Sequence, residues 1–194
     1  MPNSRLSLYT IFAIGLLTAS SAQAHTGTLH GGELLSGLLH PLLGWDHLLS
    51  ILLIGIWSVQ QRNYPKILIS TMFMAAIAIG VLAVQTVGFL PLSGFFASGA
   101  LVILGLLLAF SVSTPAYMNV LIAAAVGLSQ GYAHASMIPS YASSFEFGLG
   151  LLVGSTAMFV TGAAMSRSLW NASTAPLFRC GAGSVAVTGL LMWI

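Results

Sequence analysis

The chain is a succession of long apolar runs separated by short polar breaks. A helix that crosses a bilayer needs roughly 17–25 predominantly apolar residues. Six runs of about that length follow one another: Leu42–Val59, Ile67–Gly88, Phe95–Val112, Tyr117–Ala135, Phe147–Met165 and Leu177–Ile194. The first can extend backwards as a helix to Glu33, and Pro65 and Pro91 bound the second. The breaks are short and carry turn residues: 60–66, 91–94, 113–116, 136–145 and 166–176. There is no linker and no low-complexity tract. The pattern predicts an all-α polytopic membrane helix bundle, one domain of six transmembrane helices over residues 25–194.

Residues 1–24 have a different grammar. Met1–Arg5 is a short positive start, Leu6–Thr18 is apolar but too short for a comfortable span, and Ala22-Gln23-Ala24 is an A-x-A site. That order predicts a signal peptide cleaved after Ala24; the other reading is an uncleaved first helix. Cleavage leaves His25 as the new N-terminus.

Composition narrows the class. Of 194 residues, 57% are hydrophobic and 4% charged, with a mean hydropathy of +0.98. A soluble domain is about a quarter charged, so this chain cannot clothe itself in a solvated surface. A soluble enzyme, a nucleic-acid binder and a disordered protein are excluded, and the lipid bilayer is the partner. The net charge of +2 rests on too few groups to define a basic patch. The single cysteine, Cys180, cannot form an intrachain disulfide. Nothing in the sequence sets an oligomeric state, and a homo-oligomer stays open.

The charges orient the spans. With the mature N-terminus outside, the breaks after spans one, three and five are cytoplasmic. Arg62, Lys66, Arg167 and Arg179 all then lie on the cytoplasmic side, as the positive-inside bias requires. The expected location is the inner (plasma) membrane, multi-pass, with the mature N-terminus and the C-terminus external. Asn171-Ala172-Ser173 matches a glycosylation sequon, but on this topology it faces the cytoplasm and reads as chance. Gly150 and Gly154 form a GxxxG, and Gly181, Gly183 and Ser184 line the last span; such residues let helices approach closely. Packing inside one bundle explains them better than a dimer face.

Ionisable groups inside a membrane are expensive, so each is a functional hypothesis. His40-Pro41-Leu42-Leu43-Gly44-Trp45-Asp46-His47 opens the first span. Pro41 removes a backbone donor and Gly44 loosens the turn, so a distorted helix is expected. His40, Asp46 and His47 together make a nitrogen/oxygen set suited to nickel, cobalt or zinc rather than calcium or magnesium. The competing reading is an Asp46–His47 pair that locks packing or relays protons. In the fourth span, Asn119, Gln130, His134 and Met137 fall within roughly 60° on a helical projection. Interhelical hydrogen bonding accounts for Asn119; His134 matches the depth of Asp46. His25, as a terminal amine beside an imidazole, and His30 add possible external metal ligands. Glu146 opens the fifth span and reads as a solvated helix start. All five histidines and the three carboxylates, Glu33, Asp46 and Glu146, fall on the external half, the polarity of a cation entrance. The only lysine is Lys66, so there is no Walker A loop. The membrane potential is a sufficient drive for a divalent cation, at about 4.6 kcal/mol per 100 mV.

These residues resemble the HupE/UreJ family of nickel and cobalt permeases. His40-Pro41-x-x-Gly44-x-Asp46-His47 matches the family's H-P-x-x-G-x-D-H signature, the mature start at His25 with Gly27 is similar to the family's, and the six spans cover the whole chain. The family's fourth-span pattern is similar to H-G-x-A-H-G-x-E-x-P. Here Gly131, Ala133, His134 and Pro139 match, while Gln130 stands for a His, Ala135 for a Gly and Met137 for a Glu. One imidazole and one carboxylate thus become an amide and a thioether, and Met is a softer ligand.

The resemblance implies a secondary permease importing nickel, or cobalt, as transported substrate, with no enzyme activity and no cofactor. The expected metal-binding residues are His25, His30, His40, Asp46, His47, Gln130, His134 and Met137. Competing functions are a non-transporting metal-binding accessory protein or metalloenzyme, and a proton or small-solute channel. Against a metalloenzyme, no acid/base pair remains once the ligands are assigned.

Overall fold

The computed structural model describes residues 32–61, 65–88, 93–135 and 143–193. Seven helices occupy them: α1 Glu33–Leu43, α2 Trp45–Gln60, α3 Lys66–Val87, α4 Ser93–Ala109, α5 Ala116–Ala135, α6 Ser144–Leu169 and α7 Ala175–Leu191. There is no strand among the described residues. Each of the six predicted apolar runs is helical, with ends displaced by a few residues. The leader expected over 1–24 lies outside the described residues.

The first run is two helices. α1 and α2 meet at Gly44 with a bend of 79°. Pro41 lies inside α1; its missing N–H leaves the carbonyl one turn earlier, on Gly37, without its helical donor. Gly44 itself is extended, at φ −104° and ψ 118°. Its need for glycine is spatial. A Cβ there would stand 2.7 Å from His47 Cδ2 and 3.0 Å from Asp46 Oδ1.

Length and apolarity qualify α3 and α6 to cross a membrane alone, and the bent α1–α2 pair qualifies as a third span. At 17 residues each, α4 and α7 would reach only about 25 Å at 1.5 Å per residue. α5 is 20 residues long, but its buried Asn119, Gln130 and His134 lower its apolarity.

The helices pack by close backbone contact. Where α1 meets α6, a Cβ on Gly150 would fall 2.1 Å from the Leu34 carbonyl oxygen, and one on Gly154 2.3 Å from that of Leu38. The GxxxG is therefore used inside the chain. Gly131 does the same for α5 against Ile77 of α3, at 2.1 Å. α2 also lies along α6, and α4 pairs with α7. In the last pair the tight positions are Gly105 and Gly189, while Gly183 makes only ordinary contact, at 3.8 Å.

The distribution of polarity is inverted relative to a soluble globule. Ile67, Leu82, Phe110 and Phe145 point outward, largely exposed. Inside, beside an apolar core of Ile51, Ile54, Trp57, Phe73 and Leu104, lie His40, His47, Ser50, Gln61, Asn119, Gln130 and His134. That is the arrangement expected when the solvent is hydrocarbon and polar groups must find partners within the protein. Loop side chains close the helix ends. The Ser143 hydroxyl caps α6 by accepting from the Glu146 N–H, at 3.4 Å. The Asn171 side chain accepts from the Ser173 and Thr174 N–H groups at 2.9 and 3.1 Å, forming the turn before α7.

Candidate metal-binding site at the helix break

The residues flanking Gly44 are brought against the end of α5. His40 sits in the last turn of α1 and Asp46 in the first turn of α2. Asp46 thus lies at the positive end of a helix, where a carboxylate is favoured. Its neighbour His47 turns inward and is buried. From α5, Gln130 and His134, one turn apart, face them and are fully buried.

Three imidazoles converge. Ring centroids are 4.0 Å apart for His47 and His134, 4.7 Å for His40 and His134, and 6.3 Å for His40 and His47. Phe147, at the start of α6, packs edge-on to His40 at 5.4 Å and closes that side. Among the described residues neither ring nitrogen of His134 has a hydrogen-bond partner. The His47 Nε2 lies 3.6 Å from Asp46 Oδ2.

Behind His47 runs a polar chain. Its Nδ1 is 2.6 Å from Gln130 Oε1. The Gln130 Nε2 donates to Ser50 Oγ at 2.7 Å. The Ser50 hydroxyl donates to the Asp46 carbonyl oxygen at 2.7 Å.

As placed, the rings pack against one another instead of pointing at one centre. Among the described residues no group of three His, Cys, Asp or Glu side chains is already set for coordination. Zinc–imidazole bonds, for example, are about 2.0–2.1 Å long, so a transition-metal cation entering here has to turn the rings toward itself. The chemistry of the set is right for that: imidazole nitrogens and one carboxylate bind first-row divalent metals.

Of the residues expected to bind metal, the structure gathers His40, Asp46, His47, Gln130 and His134 at one place. His25, His30 and Met137 lie outside the described residues. Asn119 does not join the cluster, although it shares a helix with Gln130 and His134. It is hydrogen-bonded to Thr114, whose N–H donates to Gln61 Oε1 at 3.2 Å. Eleven residues from Gln130, it lies about 16 Å away along the helix. Glu146 is an exposed residue in the first turn of α6. Ser50 carries no motif in the sequence; its one signal there is a hydroxyl four residues after Asp46, on the same face of the helix.

The family profile described as HupE/UreJ protein matches residues 12–192. Protein HupE of Rhizobium leguminosarum bv. viciae is 26% identical over 191 residues, covering 98% of this chain and 99% of that protein. No solved structure matches. The profile takes in nearly the whole chain, including both sides of the helix break and the end of α5, and the chain belongs to the HupE/UreJ family.

Proposed function

We propose that this protein is a secondary permease that imports a divalent transition-metal ion, nickel or cobalt, across the bacterial inner membrane. The observation that carries the reading is His134. A fully buried imidazole with both nitrogens unpartnered among the described residues, packed edge-on against His40 and tilted against His47, is costly in an apolar interior. A passing cation repays that cost. His40, Asp46, His47 and His134 are the proposed ligands at the mouth of the bundle, with His25, His30 and Met137 as further candidates along the entry path.

In this reading residues 1–24 are a leader removed after Ala24, and residues 25–194 are the permease domain with six spans. The mature N-terminus and the C-terminus face outside. The broken first span supplies what discontinuous helices supply in other transporters: helix ends at membrane depth, facing a site. The ion moves inward down the membrane potential.

The test is uptake of radiolabelled nickel, with cobalt as competitor, in cells lacking their own importers. Wild type accumulates nickel, and accumulation collapses with the membrane potential. Asp46→Ala reaches the membrane in normal amount and takes up at most background. Normal uptake by Asp46→Ala, or none by well-expressed wild type, rejects the proposal.

A further inference from the structure

Gln130 stands where the resembling pattern carries a histidine, and its surroundings indicate what it does there. Its amide is held at both ends. The Ser50 hydroxyl spends its one proton within its own helix, on the Asp46 carbonyl at 2.7 Å or the His47 carbonyl at 3.0 Å. Ser50 Oγ therefore accepts from the Gln130 Nε2. That fixes the amide with Oε1 toward His47 Nδ1, at 2.6 Å. An amide oxygen only accepts, so the proton of a neutral His47 must sit on Nδ1.

The consequence falls on the other nitrogen. Nε2 is left with a bare lone pair, and it lies 3.6 Å from Asp46 Oδ2. In the neutral ring a lone pair and a carboxylate then lie side by side. Two acceptors so arranged repel unless a cation, a second proton on His47 or a metal ion, comes between them. Were the proton on Nε2, the N–H would point toward the Asp46 carboxylate and that nitrogen would have no lone pair to offer an arriving ion.

We infer that Gln130 is a positioning residue: through the Ser50–Gln130–His47 chain it fixes the Nδ1–H tautomer of His47 and holds Nε2 open, beside Asp46, for a divalent transition metal. The inference rests on the metal-binding reading above and assigns Gln130 a place behind a ligand. Outer partners that set an imidazole tautomer commonly change metal affinity by about 10–100-fold when removed.

The decisive measurement is nitrogen-15 NMR of the full chain, labelled at histidine and reconstituted metal-free in lipid at a pH where His47 is neutral. His47→Asn identifies the signal. Wild type shows His47 with Nδ1 protonated and Nε2 bare. Gln130→Leu moves the proton to Nε2, and Gln130→Glu, which keeps an acceptor facing Nδ1, restores the wild-type pattern. Nickel chloride titrated into the same samples binds about 10–100-fold more weakly to Gln130→Leu than to wild type, and Gln130→Glu recovers most of the loss. A His47 that carries its proton on Nε2 in wild type, or keeps it on Nδ1 in Gln130→Leu, overturns the inference. If Gln130→Leu does not fold, Ser50→Ala substitutes: it frees the amide to turn, and a mixture of tautomers is expected. An unchanged single tautomer there overturns the inference equally. Because the tautomer is read without metal, failure of wild type to bind nickel sinks the permease reading and the metal-holding half of the inference, while the tautomer assignment stands or falls on the spectra.

Discussion

His134 is where a single residue's burial and the proposed metal binding meet most plainly. Each buried polar group left without a partner costs about 1–3 kcal/mol, and this ring has two such nitrogens among the described residues. His134→Leu should therefore raise the unfolding midpoint in detergent by the equivalent of about 1 kcal/mol, while nickel binding by calorimetry disappears. A lowered midpoint with binding intact would make His134 a packing residue. His40, Asp46, His47 and His134 were legible in the sequence because a polar residue in an apolar run has few structural excuses. The role of Gln130 was not. Its two partners, Ser50 and His47, are 80 and 83 positions away, and no spacing rule in one sequence reveals a contact of that range.

Among the elements, the break between α1 and α2 follows from Pro41 and Gly44, which announced a distortion without giving its size. The 79° bend depends on how α1 lies along α6, which is tertiary information. Gly44→Ala should separate site from scaffold. The added Cβ meets His47 Cδ2 and Asp46 Oδ1, so nickel uptake should fall severalfold while both helices, read by circular dichroism, persist. The glycine contacts give a sharper comparison. At Gly150 a Cβ meets a backbone carbonyl at 2.1 Å, whereas at Gly148 the nearest atom is Val81 Cγ1 at 3.4 Å. Gly148→Ala should change stability by no more than about 0.5 kcal/mol. Gly150→Ala should cost several times that, because α1 and α6 must part. Equal effects would mean that the backbones of α1 and α6 are not in close contact at Gly150. Helix existence was legible from apolar runs bounded by Pro, Gly and Ser. Which helices pair was not, because small residues announce a close contact without naming its partner.

At the scale of the whole molecule, the outward Leu, Ile and Phe side chains and the inward histidines and amides fit a chain solvated by lipid. The proposed orientation is open to a direct test in a Cys180→Ser background. Ala172→Cys, in the exposed turn before α7, should react with an impermeant maleimide only after the membrane is opened. Gly94→Cys, exposed and with no atom within 4 Å of an added Cβ, should react in intact spheroplasts. The reverse pattern would invert the bundle. One further consequence comes from the cluster's holding a single carboxylate. With its imidazoles neutral and its carboxylate ionised, the site without an ion carries a charge of minus one, and with a divalent ion plus one. The self-energy of a charge in a low-dielectric medium grows with its square, so the two states bear nearly the same penalty. The surroundings then neither trap the ion nor expel it, and occupancy is decided by the coordinate bonds and the membrane potential. A second carboxylate would make the loaded site neutral and the empty one doubly charged, a sink for cations. Asp46 alone makes a site an ion can leave.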